Sequence, residues 1–344
     1  MWQTIEQLEI EGKVTTALKK VNELHQKAVN QKNDVQQLKS LLFRWKFMQI
    51  IDEKSQINTL NELNTAIEKH SFPNKQLLHM YKAHFLESYL NDNYLRISDR
   101  TATVDANLKS FQTWDLNTFL AEISTQYNKA LTPAVALANI NTTSISELLI
   151  TVPISRKFKP TAYDIIAHKA LKFYKNPRNR INKPKDEFLI TSSSYFATSS
   201  NFIKSKLNTT DHASLLFKAL ETYQQLEKIH SQQKSTVAWV NAALKRLQFV
   251  KANHLGPETE SLYIESLKNL TYEFKKANDI AKINLALAKA YRNSAFAKNA
   301  DGKLKHPDFN TLALNLVTAV EAQNVDTQTL IEAKNLKNQI LQKK

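Results

Sequence analysis

Asp164 and His168 stand four residues apart in the stretch FKPTAYDIIAHKALKFY, from Phe158 to Tyr174. That spacing places both side chains on one face of a helix, where a carboxylate can orient an imidazole as it does in a nucleophilic triad. The sequence offers no obvious nucleophile beside the pair and no glycine-shaped oxyanion hole, which disfavours an acid–base site. The structural reading is more economical. Asp164 falls in the first helical turn, where negative charge complements free backbone N–H groups, and His168 completes a buried polar contact. Neither residue is assigned a catalytic role.

The stretch LLHMYKAHFLE sets His79 and His84 five residues apart, with Glu87 three further on. A helical zinc pair needs four-residue spacing, and a metalloprotease needs a glutamate directly after its first histidine. The two rings point about 140° apart around a helix, so no metal is expected. In LLFRWKF and ALKFYKNPRNR, aromatic and basic residues interleave as in a stacking platform for single-stranded nucleic acid. At helical spacing, Trp45, Phe173 and Tyr174 read instead as packing between helices. There is no P-loop, dinucleotide fingerprint or EF-hand loop, and no cofactor is expected.

Glycine is scarce: three residues in 344, where average usage near 7% predicts roughly two dozen. Nucleotide-binding turns, nucleophile elbows and β-hairpins all draw on glycine for backbone at positive φ, so most enzyme folds that depend on it are excluded. Cysteine is absent, which removes disulfides, thiolate chemistry and Cys-ligated zinc. No apolar run approaches the roughly 20 residues that span a bilayer, and MWQTIEQLEI lacks the order of a signal peptide. The formal charge of +15 suits an anionic partner. A basic run extends from Arg156 to Lys185, and the stretch beginning NPRNRINKPKDEF is the most locally basic, with Arg178, Arg180, Lys183 and Lys185 as candidate anion-binding residues. Lysine dominates the cations and is spread along the chain, so nucleic acid or an anionic surface is the alternative reading of function and not the leading one.

The elements that must position these residues are helices. Val14, Ala17, Leu18, Val21, Leu24 and Ala28 form one apolar stripe, and Leu38, Leu41, Leu42, Trp45 and Met48 form the next. The polar link NQKND between them predicts a hairpin. Helices follow at Ser55 to Lys69 and Asn74 to Leu90, giving an N-terminal segment of hairpins over residues 1–91. Residues 92–210 read as an irregular connection holding two helices, Asp115–Leu131 and Thr161–Asn176. In it Tyr94, Leu95, Ile97, Val104, Leu108 and Phe111 are candidates for burial. Thr113 or Asp115 is expected to cap the first helix, and Pro160 or Thr161 to open the second. From 211 to 344 helical stripes return without a break. The fold class expected is all-α, an irregular tetratricopeptide-like array of antiparallel helix hairpins forming one continuous unit, although the strict repeat signature of about 34 residues is absent.

Three stretches resemble a known family. WQTIEQLEIEGKVTTALKKVNELHQKAVNQKNDVQQLKSLLFRWKF is similar to the start of the mature chain in alpha-2-macroglobulin family proteins of Bacteroidetes. RISDRTATV followed by FQTWDLNTFLAEISTQYNKAL resembles that group's Arg-Thr turn and Thr-Trp-Asp helix start. FKPTAYDIIAHKALKFY resembles its Pro-Thr-x-Tyr-Asp-x-x-Ala-His-x-Ala-Leu segment nearly position for position. The likeness covers roughly the first 205 residues. It implies a helical amino-terminal region of a larger exported protein, periplasmic or outer-membrane associated, whose later β-sandwich, bait and thioester parts trap proteases and whose export signal lies outside this stretch. It further implies that Trp114, Asp115, Pro160, Thr161, Tyr163, Asp164 and His168 determine the fold, with no catalytic role. The expected function is a non-enzymatic protein-interaction module that docks onto the rest of its own chain or onto another envelope protein.

Overall fold

The structure, a computed structural model, describes residues 1–52, 55–100, 111–149, 153–181, 184–275 and 280–342. Among them are sixteen α-helices and no strand; β pairing is confined to the isolated bridges Asn141–Thr161, Ile190–His254 and Lys298–Leu304. The chain divides into two compact units, Met1–Asn182 and Lys183–Lys344, a division that falls within the 92–210 stretch.

The first unit contains α1 (Trp2–Ile10), α2 (Val14–Asn30), α3 (Asp34–Ile51), α4 (Gln56–Lys69), α5 (Asn74–Asp92), α6 (Tyr94–Ser98), α7 (Leu116–Ala130), α8 (Ala134–Ala138) and α9 (Ala162–Tyr174). α1 ends at Gly12, whose φ of +73° only glycine adopts without strain, and the chain turns directly into α2. Ile5, Ala17, Val21 and Phe47 then form a buried cluster under Trp2 and Phe43. α3 packs along α2, α5 against α7, and α9 against both α5 and α7. The expected hairpins are present, and Trp45, Phe173 and Tyr174 are fully buried.

The stretch after Asn91 differs from its expected irregular character. α5 continues to Asp92, and the short α6 follows at once. Ile97 and Phe111 are fully buried as expected, but Leu95 is 78% exposed, because a five-residue helix has one inward face and Ile97 occupies it. Val104 and Leu108 lie outside the described residues.

The second unit contains α10 (Ser199–Lys204), α11 (Leu215–Gln233), α12 (Thr236–Asn253), α13 (Thr259–Glu273), α14 (Ile280–Ser294), α15 (Phe309–Glu321) and α16 (Thr327–Leu341). Each helix packs on the next in chain order, and α14 also touches α12 and α16. Where helices meet, small residues such as Ala219, Ala243 and Ala288 are fully buried and let the backbones approach.

Candidate functional site

The segment around Asp164 is pinned before any chemistry is considered. Thr161 caps α9: its hydroxyl accepts from the Asp164 N–H at 3.3 Å, while the Asp164 carboxylate accepts from the Thr161 N–H at 3.0 Å and from its hydroxyl at 2.7 Å. This reciprocal box satisfies orphan backbone donors at the helix start. The preceding Pro160 carbonyl accepts from the Thr142 N–H at 2.9 Å, and the Ala162 N–H donates to the Ile140 carbonyl at 2.8 Å. Tyr163 and Asp164 are buried, whereas His168 is half-buried and not enclosed. One oxygen of the carboxylate that a catalytic dyad would need, Oδ2, is engaged in the cap.

Trp114 and Asp115 act in the same way at α7. The Asp115 carboxylate accepts from the Thr118 N–H at 2.8 Å, so of the two expected capping residues Asp115 serves. Trp114 packs at 5.3 Å on Phe119, in a cluster with Phe85, Tyr89 and Phe111.

The two histidines of α5 do not converge. His79 is buried and its Nδ1 meets Gln126 of α7 at 2.6 Å; Gln126 donates on to Glu122, which pairs with Lys82 at 3.1 Å. His84 lies on the solvent side. Partial burial, then the charges of Lys169 and Lys172, lowers its pKa below the usual histidine range. Burial raises the pKa of Glu87, opposed by a 3.0 Å hydrogen bond from the Tyr127 hydroxyl and by the same two lysines. Among the described residues, no group of three or more His, Asp or Glu side chains is placed to hold a metal.

The basic candidates fall in both units. Arg178 is exposed, with its guanidinium 4.6 Å over the Tyr94 ring, and Arg180 is half-buried. Lys185 is exposed in the second unit, and Lys183 lies outside the described residues.

Sequence reasoning missed a groove of about 750 Å³ between α2, α3 and α4. Its wall is fixed by Glu62, which accepts from Arg44 and from the Trp45 indole, both at 3.1 Å. Across from them His25 is held by Ser40 at 2.9 Å, and Lys69 and His70 line the C-terminal end of α4. Burial, and next the Arg44 charge, keeps the His25 pKa low, so the ring is neutral at pH 7. The groove is polar, pre-formed and within the size range of ligand clefts. In the second unit a smaller cleft of about 350 Å³ carries Lys251, Lys282 and Lys289, each paired with an acid: Glu260 at 2.8 Å, Asp326 at 3.3 Å and Glu332 at 2.5 Å.

The second unit also holds a buried polar network that no periodicity announces. Arg246 on α12 is fully buried; its Nε donates to Glu227 of α11 at 2.7 Å, and its other nitrogens donate to the Tyr195 and Ala197 carbonyls at 2.6 and 3.0 Å. Ser199 donates to Glu227 and accepts from the Trp239 indole at 2.7 Å. Glu273 accepts from the Ser199 and Ser200 N–H groups, each at 2.9 Å. The hydroxyl-rich run TSSSYFATSS is thereby clamped onto α11–α13. Desolvation pushes the Glu227 pKa up and Arg246 pulls it back. Arg246, Glu227 and Ser199 at its centre are fully buried, while Glu273 and Ser200 lie at its edge.

The chain matches no family model, no curated protein and no solved structure.

Proposed function

We propose that this protein is a non-enzymatic helical module for protein–protein interaction. The observation that carries the reading is the groove between α2, α3 and α4, whose walls are rigid helices and whose polar groups are fixed by the Arg44–Glu62–Trp45 bonds. Pre-organised polar groups along a helical cleft suit an extended segment of another chain, since little ordering entropy is lost on docking. The engagement of Asp164 in a helix cap supports the same reading, by giving the sequence's best candidate for acid–base work a structural role.

The three stretches that resemble alpha-2-macroglobulin family proteins support an extension of the proposal. On that resemblance the module forms the amino-terminal end of an alpha-2-macroglobulin-like protease trap of the cell envelope, exported to the periplasm or outer membrane. It docks there on the β-sandwich domains of its own chain or on another envelope protein, and meets target proteases only indirectly. No helix among the described residues is long and apolar enough to cross a membrane, so on this reading membrane attachment lies outside the described helices. The test is deletion of residues 1–344 from the longer protein, with assembly, partner binding and protease trapping as readouts. The expected result is loss of at least one of the three; retention of all three refutes the proposal.

A further inference from the structure

The lysines of this protein fall into two kinds. In the second unit's cleft each is neutralised by a neighbouring acid, and in the first unit Lys82 is matched by Glu122. Among the described residues, Lys159, Lys169 and Lys172 form no ion pair. Lys169 and Lys172 lie three residues apart on the exposed side of α9, one helical turn, with half-buried His168 beside them and Lys159 half-buried just before the helix. α9 packs on α5, which presents His84 and Glu87 toward the field of the two lysines.

The acids within reach of this face are already used. Asp164 is occupied by the Thr161 backbone and hydroxyl, and Glu87 accepts from the Tyr127 hydroxyl. Both carboxylates lie within electrostatic reach of the lysines but form no ion pair with them, so two half-engaged acids offset only part of the charge of three lysines. Partial burial, then the Lys169 charge, opposes the charged form of Lys159, the Asp164 charge offsets part of this, and a bound anion adds to that offset.

We propose that the face formed by Lys159, Lys169 and Lys172, with His84 and His168 at its edges, docks an acidic segment of a partner protein. This rests on the protein-interaction reading and adds the chemistry of one partner. Charge complementarity selects an anion, and the rest of the face selects its kind. A bilayer surface is bound by charges flanked with apolar anchors, yet none of the exposed large hydrophobic residues lies on α5 or α9. Single-stranded nucleic acid is held by stacking on exposed aromatic rings, and Tyr163, Phe173 and Tyr174 of α9 are all buried. The face also carries no arginine fork of the kind that reads phosphate bidentately. Lysine ammonium groups one turn apart, with neither anchor nor ring between them, fit the carboxylates of an extended Glu- or Asp-rich peptide.

The experiment measures fluorescence anisotropy of a labelled peptide of alternating Glu and Ala against the full chain, with labelled oligo-dT and phosphatidylserine vesicles as comparison ligands. Variants are Lys169→Glu/Lys172→Glu and, as a control with the same change in net charge, Lys19→Glu/Lys228→Glu at exposed positions that form no ion pair among the described residues. Lys169→Gln/Lys172→Gln serves if the reversal alters the circular dichroism of the helices. The proposal expects the α9 variant to lose about tenfold or more in peptide affinity, the control to lose far less, and the peptide to bind more tightly than either comparison ligand. Absence of peptide binding, equal loss in the control, or equally α9-dependent binding of oligo-dT or vesicles overturns it. These failures leave the groove of α2–α4 untouched, and the deletion experiment judges that reading separately.

Discussion

Replacing Arg246 by methionine keeps an aliphatic stem against Phe202, over which the guanidinium sits at 4.2 Å, and removes every donor of that group. Glu227 then remains fully buried with Ser199 as its donor, and the Tyr195 and Ala197 carbonyls each lose the nitrogen at 2.6 and 3.0 Å. Deleting one partner of a buried ion pair costs about 3–5 kcal/mol, and a carbonyl stripped of its donor about 1–3 kcal/mol. Protonation of Glu227 offsets part of that sum, so the expected loss is about 4 kcal/mol or more. Against a domain stability of about 5–15 kcal/mol this is close to unfolding the unit. Glu227→Gln is expected to cost about 3–5 kcal/mol as well, because the amide still accepts from Arg246 but leaves a buried guanidinium that cannot lose its charge. Because two units contribute to any global signal, the transition must be read locally. Trp239 is the one tryptophan of the second unit, so its resonance in the 5-fluorotryptophan-labelled protein reports that unit during urea titration. A loss below about 1 kcal/mol for Arg246→Met, within reach of an ordinary surface substitution, refutes the argument that this network holds the 191–200 run in place.

Three further outcomes follow from the first unit. Thr161→Ala removes the hydroxyl shared with Asp164 and should lower stability by about 1 kcal/mol, seen as a drop in the thermal midpoint; no change refutes the cap's contribution. Gly12→Ala forces a Cβ into the left-handed region at φ +73° with open space around it, so conformational strain alone should cost about 1 kcal/mol, and a neutral substitution contradicts that account. Burial holds His25, His79 and His84 below the ordinary histidine pKa of about 6.5. The folded unit therefore binds fewer protons than the unfolded chain just below that pH, and its stability is complete above about pH 6.5 and falls on acidification. His79→Gln should flatten this fall in a series of melts between about pH 7.5 and 5.5; an unchanged slope removes His79 from the effect.

What the sequence alone determined is the all-helical class and the caps. Apolar residues at helical spacing, three glycines in the whole chain and capping residues such as Asp115 and Thr161 are local signals, because the atoms that satisfy one another lie within one turn. Asp164 could be read as a structural residue for the same reason: its partner is three residues away. Burial in the short α6 was only partly legible, since Ile97 and Leu95 are both apolar and only the packing of one helix face distinguishes them. The tertiary structure alone decided the groove and the buried network. Glu62 meets Arg44 across 18 residues, and Arg246 reaches the Tyr195 carbonyl across 51, so nothing in either local pattern marks them. Whether a lysine is drawn into an ion pair, as Lys282 is and Lys172 among the described residues is not, depends likewise on which helix packs beside it, because an ion pair is set by separation in space and not along the chain.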